Sequence, residues 1–282
     1  MKTMTVRTLI PIVLLTLSCN KQGVSDTIGK AFTETRKITF NSITVNVIID
    51  KPENDTVDVI VAYHGTVFLD NKILEAAQTT LNEVKRITDR KNMMIVSVAY
   101  PEEGLFMGDN VRESEAALLW VKNNANRELG VVVKKIFLVG HSQGGYIVTR
   151  LNTKHATDGV VANGPGPLDL VLRYQLEENN QAPNTITCTL LKNAYGSVLT
   201  NPAQYRDRSL LNFTNNFQSD ILFIQGLQDS QIQLTSWPTF KQQVQNCTTC
   251  KRFQFLDIAD YGHTALFDSP EAKQAYNNFI NR

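Results

Sequence analysis

One hexapeptide constrains this chain more than any other stretch of it. Gly140-His141-Ser142-Gln143-Gly144-Gly145 follows directly on the apolar run Lys135-Ile-Phe-Leu-Val139 and leads into a segment with a helical pattern. A G-x-S-x-G between a strand and a helix turns the backbone so sharply that a Cβ at the flanking glycines would collide with the neighbouring strand and helix. The turn lifts the Ser142 hydroxyl over the edge of a sheet, and the helix N-terminus behind it favours developing negative charge.

The surrounding sequence has the elements that this turn needs. Val57-Asp-Val-Ile-Val-Ala-Tyr63 ends at His64-Gly65, and Met93-Met-Ile-Val-Ser-Val-Ala-Tyr100 ends at Pro101. Both are short, nearly continuous apolar runs, as buried parallel strands are. Lys135 to Val139, Gly159 to Ala162, Ile221 to Ile224 and Arg252 to Asp257 supply further strands. Between them Asn71 to Arg90 and Val111 to Glu128 are rich in helix formers, and the last helix starts at Ser269-Pro270-Glu271, a cap, a first-turn proline and a dipole-matching acid. Ahead of these, Ile38 to Asp50 alternates around Asn41-Ser42 as an antiparallel hairpin does. Strands alternating with helices predict an α/β chain with a mostly parallel sheet covered on both faces. The segment from about 164 to 219 exceeds what one crossover helix needs; its apolar side chains, Tyr174, Leu191 and Tyr195 among them, suit a cap over the sheet edge.

A serine at its ordinary pKa is a poor nucleophile and needs a positioned base. The chain has four histidines. His141 is too close to Ser142 in sequence, His155 lies beyond the helix after the turn, and His64 reads as structural at the end of an early strand. His263 remains, in Asp260-Tyr-Gly-His263-Thr, between the last strand and the last helix. Asp229 follows the Ile221 strand in Gln225-Gly-Leu-Gln-Asp229 and emerges on the rim that would carry Ser142 and His263. Its rivals as the orienting acid are Asp257, Asp260 and Asp169. Oxyanion donors are expected at the backbone N–H of Gln143 and the N–H of Thr66 in Tyr63-His64-Gly65-Thr66, with Gly65 or the Tyr63 region as alternatives to Thr66.

Strand-H-G, G-H-S-Q-G-G, G-x-x-D and G-H, in this order over residues 36–282, resemble the α/β-hydrolase superfamily. Within it, Asn201 to Ser209 with the following strand and Gln225 to Asp229 is similar to the prolyl oligopeptidase (S9) and dienelactone-hydrolase-like branch. Two departures stand out: the short N-terminus has no room for the propeller that precedes many S9 catalytic domains, and Gln143 occupies a position usually held by tyrosine in those peptidases. The resemblance implies an α/β-hydrolase fold, with a mostly parallel sheet, helices on both faces, a cap insertion after the sixth strand and a serine–histidine–aspartate mechanism.

The N-terminus reads differently. Lys2 and Arg7 precede Leu9 to Leu17, an apolar stretch too short to span a bilayer, as in a signal peptide over residues 1–18. Leu17-Ser18-Cys19-Asn20 resembles a bacterial lipobox, so Cys19 is the expected lipidation site and residues 19–35 a lipidated tether, with the α/β domain over 36–282. An exported lipoprotein of the cell envelope is expected, on the periplasmic face or the outer membrane; a secreted protein is the alternative. Cys247 and Cys250 suit a short disulfide in that setting, as does a bridge from either to Cys188.

With 28 Lys+Arg against 27 Asp+Glu and no run of basic residues, the chain lacks the electrostatic footprint of a nucleic-acid binder. No metal-ligand set or phosphate-cradling loop is evident in the sequence, and the expected chemistry needs no cofactor. The expectation is a serine hydrolase acting on a small ester, touching the membrane only through its lipid. An S9-type exopeptidase or aminoacyl hydrolase acting on short peptides, and a non-catalytic binding lipoprotein, are the alternatives.

Overall fold

The structure, a computed structural model, describes residues 29–101 and 110–282. The expected signal peptide over residues 1–18 and the expected lipidation site Cys19 lie outside the described residues. The chain runs β1 (Phe32–Phe40), β2 (Ile43–Lys51), β3 (Thr56–Tyr63), α1 (Ile73–Ile87), β4 (Met93–Ala99), α2 (Val111–Asn123), α3 (Ala125–Leu129), β5 (Val132–His141), α4 (Gln143–Asn152) and β6 (Gly159–Asn163). It continues with α5 (Leu170–Glu178), α6 (Ile186–Tyr195), α7 (Pro202–Arg206), β7 (Ile221–Gly226), α8 (Gln231–Gln245), β8 (Phe253–Ile258), α9 (Ala265–Asp268) and α10 (Pro270–Ile280).

The eight strands form one sheet in the order β1-β2-β4-β3-β5-β6-β7-β8. β2 pairs antiparallel with β1 and β4, and every other neighbouring pair is parallel. Successive side chains of a strand point to opposite faces, so an apolar run buries both. Val59 and Val61 pack with Ala117 and Trp120 of α2, Ile147 of α4 and Phe240 of α8 on one face. Ile60 and Ala62 pack with Leu81 and Val84 of α1 and Tyr276 and Ile280 of α10 on the other. This confirms the mostly parallel sheet wrapped on both faces.

Several boundaries differ from the sequence reading. β1 begins at Phe32, inside the stretch expected to be tether, and pairs with β2 from its first residue. Its turn places Asn41 and Ser42 at positive φ, 48° and 66°, the mirror-image geometry that matches the twist of a tight hairpin. The helix expected over Val111 to Glu128 is two helices that meet at Asn124. Cys247 is bonded to Cys250, and Cys188 is a buried free thiol, so the bridge to Cys188 does not form.

Between β6 and β7 the helices α5, α6 and α7 form the expected cap. Asp169 and Thr185 cap α5 and α6, accepting from the N–H groups of Leu172 and Cys188. Leu170, Tyr174, Cys188, Leu191, Val198 and Tyr205 give the cap a small core of its own.

Candidate active site

The turn after β5 has the shape its glycines require. A Cβ on Gly140 would lie 2.1 Å from the Gly144 carbonyl oxygen, and one on Gly144 would lie 2.0 Å from that of Tyr63. No side chain fits at either position. Between them Ser142 sits at φ 57°, ψ −119°, a conformation that costs on the order of 1–3 kcal/mol and persists only when its surroundings fix it. They do: Ser142 N–H donates to Asn163 O at 2.9 Å, and Ser142 O accepts from the N–H groups of Tyr146 at 3.0 Å and Gly166 at 3.2 Å.

Asp229 lies just past the tip of β7 and His263 in the loop after β8. They meet side chain to side chain, with His263 Nδ1 2.7 Å from Asp229 Oδ2. The same oxygen accepts from Gln225 Nε2 at 2.9 Å, while Oδ1 accepts from Ser230 N–H at 2.6 Å. The Asp229 side chain is 5% exposed. Burial alone would push its carboxyl up; the hydrogen bond and charge of His263, then Gln225 and Ser230, outweigh it and hold the carboxyl below its ordinary value. A carboxylate at Nδ1 leaves Nε2 as the basic nitrogen.

Two of the rival acids are engaged elsewhere. Asp257 accepts from Trp237 Nε1 and Lys241 Nζ, and Asp169 caps α5. Asp260 makes no hydrogen bond with His263 among the described residues. His155 bonds Glu115 on α2 at 2.6 Å.

A second network braces the His263 loop. Asn163, fully buried at the tip of β6, donates through Nδ2 to His263 O at 3.0 Å and to His141 Nδ1 at 2.8 Å, and accepts from Leu266 N–H at 3.1 Å. The rings of His141 and His263 meet edge-on, with centroids 4.8 Å apart. Burial, then the charge of His263, lowers the His141 pKa to about 3 and keeps that ring neutral. His64 is 1% exposed, stacks on Tyr100 at 4.0 Å between centroids, and is lowered by burial to about 4.

Ser142, Asp229, His263 and Thr66 open together on a cavity of about 360 Å³ beneath the cap. Phe68 and Ile232 give it apolar wall, while Arg173 and Thr187 reach it from the cap helices. Neither Thr66 N–H nor Gln143 N–H, the first of α4, donates a hydrogen bond among the described residues. Ser142 Oγ has no hydrogen-bond partner among them either, and a bond to His263 Nε2 would displace none. Such bonds are often loose until substrate is bound. Among the described residues no group of histidine, cysteine and acidic side chains could hold a metal ion.

The sequence reading did not single out Asn163, Gln225 or Arg173. Asn163 and Gln225 are polar residues at or near the tips of otherwise apolar strands, a signal that could have marked them. Arg173 sits on an amphipathic helix, where a lone arginine is indistinguishable from a solvated one.

Among solved structures, the chain superposes on a Pyrococcus furiosus esterase with a TM-score of 0.64 at 15% identity, covering 89% of this chain and 91% of that one. A hyperthermophilic esterase from Pyrobaculum calidifontis gives a TM-score of 0.63 at 16% identity, covering 89% and 84%. An acylaminoacyl peptidase of Pyrococcus horikoshii gives 0.63 at 16% identity, covering 89% of this chain but 42% of that one, so the chain spans less than half the length of that peptidase. At such identities the likeness is one of fold. No curated protein sequence matches the chain. A protein family described as alpha/beta hydrolase fold matches residues 60–244, more than half of the chain and the stretch that carries the serine turn and Asp229. With strand order, turn and family match in agreement, the chain belongs to the α/β-hydrolase fold family.

Proposed function

We propose that this protein is a serine hydrolase that cleaves carboxylic esters through an acyl-enzyme intermediate. The observation that carries the reading is the 2.7 Å Asp229–His263 bond opening on the same cavity as a serine held at positive φ. His263 Nε2 takes the Ser142 hydroxyl proton as Oγ attacks the ester carbon, and Asp229 stabilises the imidazolium that forms. The oxyanion is met by the N–H groups of Gln143 and Thr66, and the collapsing intermediate expels the alcohol, which leaves with the His263 proton. Water then attacks the acyl-enzyme with His263 again as base, releasing the acid and restoring Ser142.

A fluorophosphonate probe is expected to label the wild type and not Ser142→Ala; an unlabelled, folded wild type would favour the binding-lipoprotein alternative and sink the enzyme reading. Peptidase activity is the second reading, favoured by the superposition on an acylaminoacyl peptidase. A panel of 4-nitrophenyl esters beside aminoacyl anilides divides the two, and turnover of anilides alone would overturn the esterase assignment. Export and lipid attachment at Cys19 complete the proposal; radiolabelled palmitate incorporated by the wild type and equally by Cys19→Ala would refute the anchor.

A further inference from the structure

Arg173 is the only lysine or arginine among the described residues lining the catalytic cavity. It projects from α5 of the cap, and its Nε donates to Glu177 Oε1 at 3.2 Å. Glu177 is 2% exposed and fixed from the other side by Thr185, whose N–H and Oγ1 donate to Oε2 at 2.9 and 2.8 Å. This buried carboxylate therefore grips one edge of the guanidinium. Nη1 and Nη2 make no hydrogen bond among the described residues; Arg173 otherwise only approaches the neighbouring Tyr174 ring, 5.6 Å from its centroid. Tyr174 also lines the cavity and is 1% exposed, and its hydroxyl is likewise without a hydrogen-bond partner among the described residues. Burial pushes the phenol up, so it stays protonated and acts as a donor. A surface ion pair would explain the Arg173–Glu177 contact, but it leaves two Nη groups and a neighbouring phenol hydroxyl without a protein partner at the same cavity.

We propose that Arg173, with the Tyr174 hydroxyl, selects esters that carry a carboxylate. The proposal rests on the serine-esterase reading above and names its substrate class. A planar fork with two free Nη groups matches a carboxylate in bidentate geometry, and a neighbouring hydroxyl adds a third donor. A cavity of about 360 Å³ admits a short acyl chain or a single ring, so the carboxylate sits a few bonds from the scissile carbonyl. It can belong to either side of the ester: the half-ester of a dicarboxylic acid, or the ester of a hydroxy acid.

Two pairs of probes separate those sources. On the acyl side, mono-4-nitrophenyl adipate is compared with its terminal amide; on the alcohol side, 4-acetoxybenzoate is compared with 4-acetoxybenzamide. In the wild type, kcat/KM for the acid is expected to exceed that for the amide by about 10- to 100-fold in one pair, and in Arg173→Gln the ratio falls to about threefold or less. The ratio cancels any general loss of activity, which a purely structural role for Arg173 would cause in acid and amide alike. Arg173→Lys, a point charge without the fork, is expected to retain an intermediate ratio. Equal rates for acid and amide in the wild type, or a preference that survives Arg173→Gln, would overturn the inference. Should Arg173→Gln not fold, inhibition of the wild type decides: free adipate must bind more tightly than adipamide, and equal inhibition refutes the carboxylate site. Fluorophosphonate labelling of Ser142 separates the two levels. Labelling without carboxylate preference defeats this inference alone, whereas absence of labelling defeats the esterase reading and this inference with it.

Discussion

His64 makes the stability of this fold depend on pH by a route separate from its chemistry. Its Nδ1 donates to the Gly65 carbonyl at 2.7 Å, its ring is stacked on Tyr100, and its Nε2 is buried with no partner among the described residues. Protonating Nε2 places a charge where nothing accepts its hydrogen, which is why burial lowers the native pKa to about 4. In the unfolded chain the imidazole titrates near 6.5. A folded-state value below the unfolded one means that the unfolded state binds the proton first, so stability is present above about 6.5 and lost as pH falls toward about 4. At pH 5, one and a half units into that window at about 1.4 kcal/mol each, His64 has cost the native state about 2 kcal/mol. The assay is guanidinium unfolding followed by tryptophan fluorescence at pH 8 and pH 5, for the wild type and His64→Asn. Asparagine keeps a donor near Nδ1 and cannot titrate. The variant is expected to start less stable at pH 8 yet lose about 2 kcal/mol less on acidification. His141, lowered in the same direction, contributes to both proteins and cancels. Identical losses in the two proteins would refute the assignment of a buried, unaccommodated Nε2.

Other expectations concern the site and its frame. Asp229→Asn should lower kcat by roughly 10³- to 10⁴-fold while leaving the fold intact, because the amide cannot stabilise the imidazolium; a loss of less than about tenfold in ester turnover would remove Asp229 from the mechanism. Asn163→Ala should destabilise the protein by about 1–3 kcal/mol, through the unmet Leu266 N–H and the freed His263 carbonyl, and reduce kcat more than it raises KM; an unchanged melting temperature would contradict the brace. Gly144→Ala should destabilise by more than about 3 kcal/mol or fail to fold, since its methyl would meet backbone at 2.0 Å; soluble protein of wild-type stability would refute the steric account of the turn. The Cys247–Cys250 bond closes only a short loop, so reducing it should cost at most about 2 kcal/mol in chemical denaturation and leave ester turnover unchanged.

The parts of the fold that sequence made legible are those where local chemistry and global architecture agree. The Gly140 to Gly145 turn is dictated by sterics, and the apolar runs of β3, β4 and β7 are dictated by burial on both faces. The start of β1 was hidden because Glu34 and Arg36 occupy the half-buried face of the strand; they neutralise each other through an ion pair at 2.6 Å, which no hydrophobic pattern reveals. The break between α2 and α3 falls in Asn123-Asn124-Ala125-Asn126, where three asparagines weaken the helix; the apolar pattern that continues on either side masks it. Ser142, Asp229 and His263 could be singled out because each follows a strand at one rim of the sheet. Arg173 could not: its meaning depends on how α5 folds back over that rim, a tertiary relation with no period in the sequence.

The separate core of the cap has a consequence for how the protein can change. Leu170, Tyr174, Cys188, Leu191, Val198 and Tyr205 pack mainly with one another, so the cap is a cooperative unit of modest local stability resting on a far larger body. Ser142, Asp229, His263 and Asn163 all hang from strand tips of that body, while Arg173 and Thr187 travel with the cap. In the proposed mechanism, reaction chemistry and substrate choice are thereby housed in separate parts of the chain. On that reading, substitutions in the cap retune which molecules enter without disturbing the reacting groups.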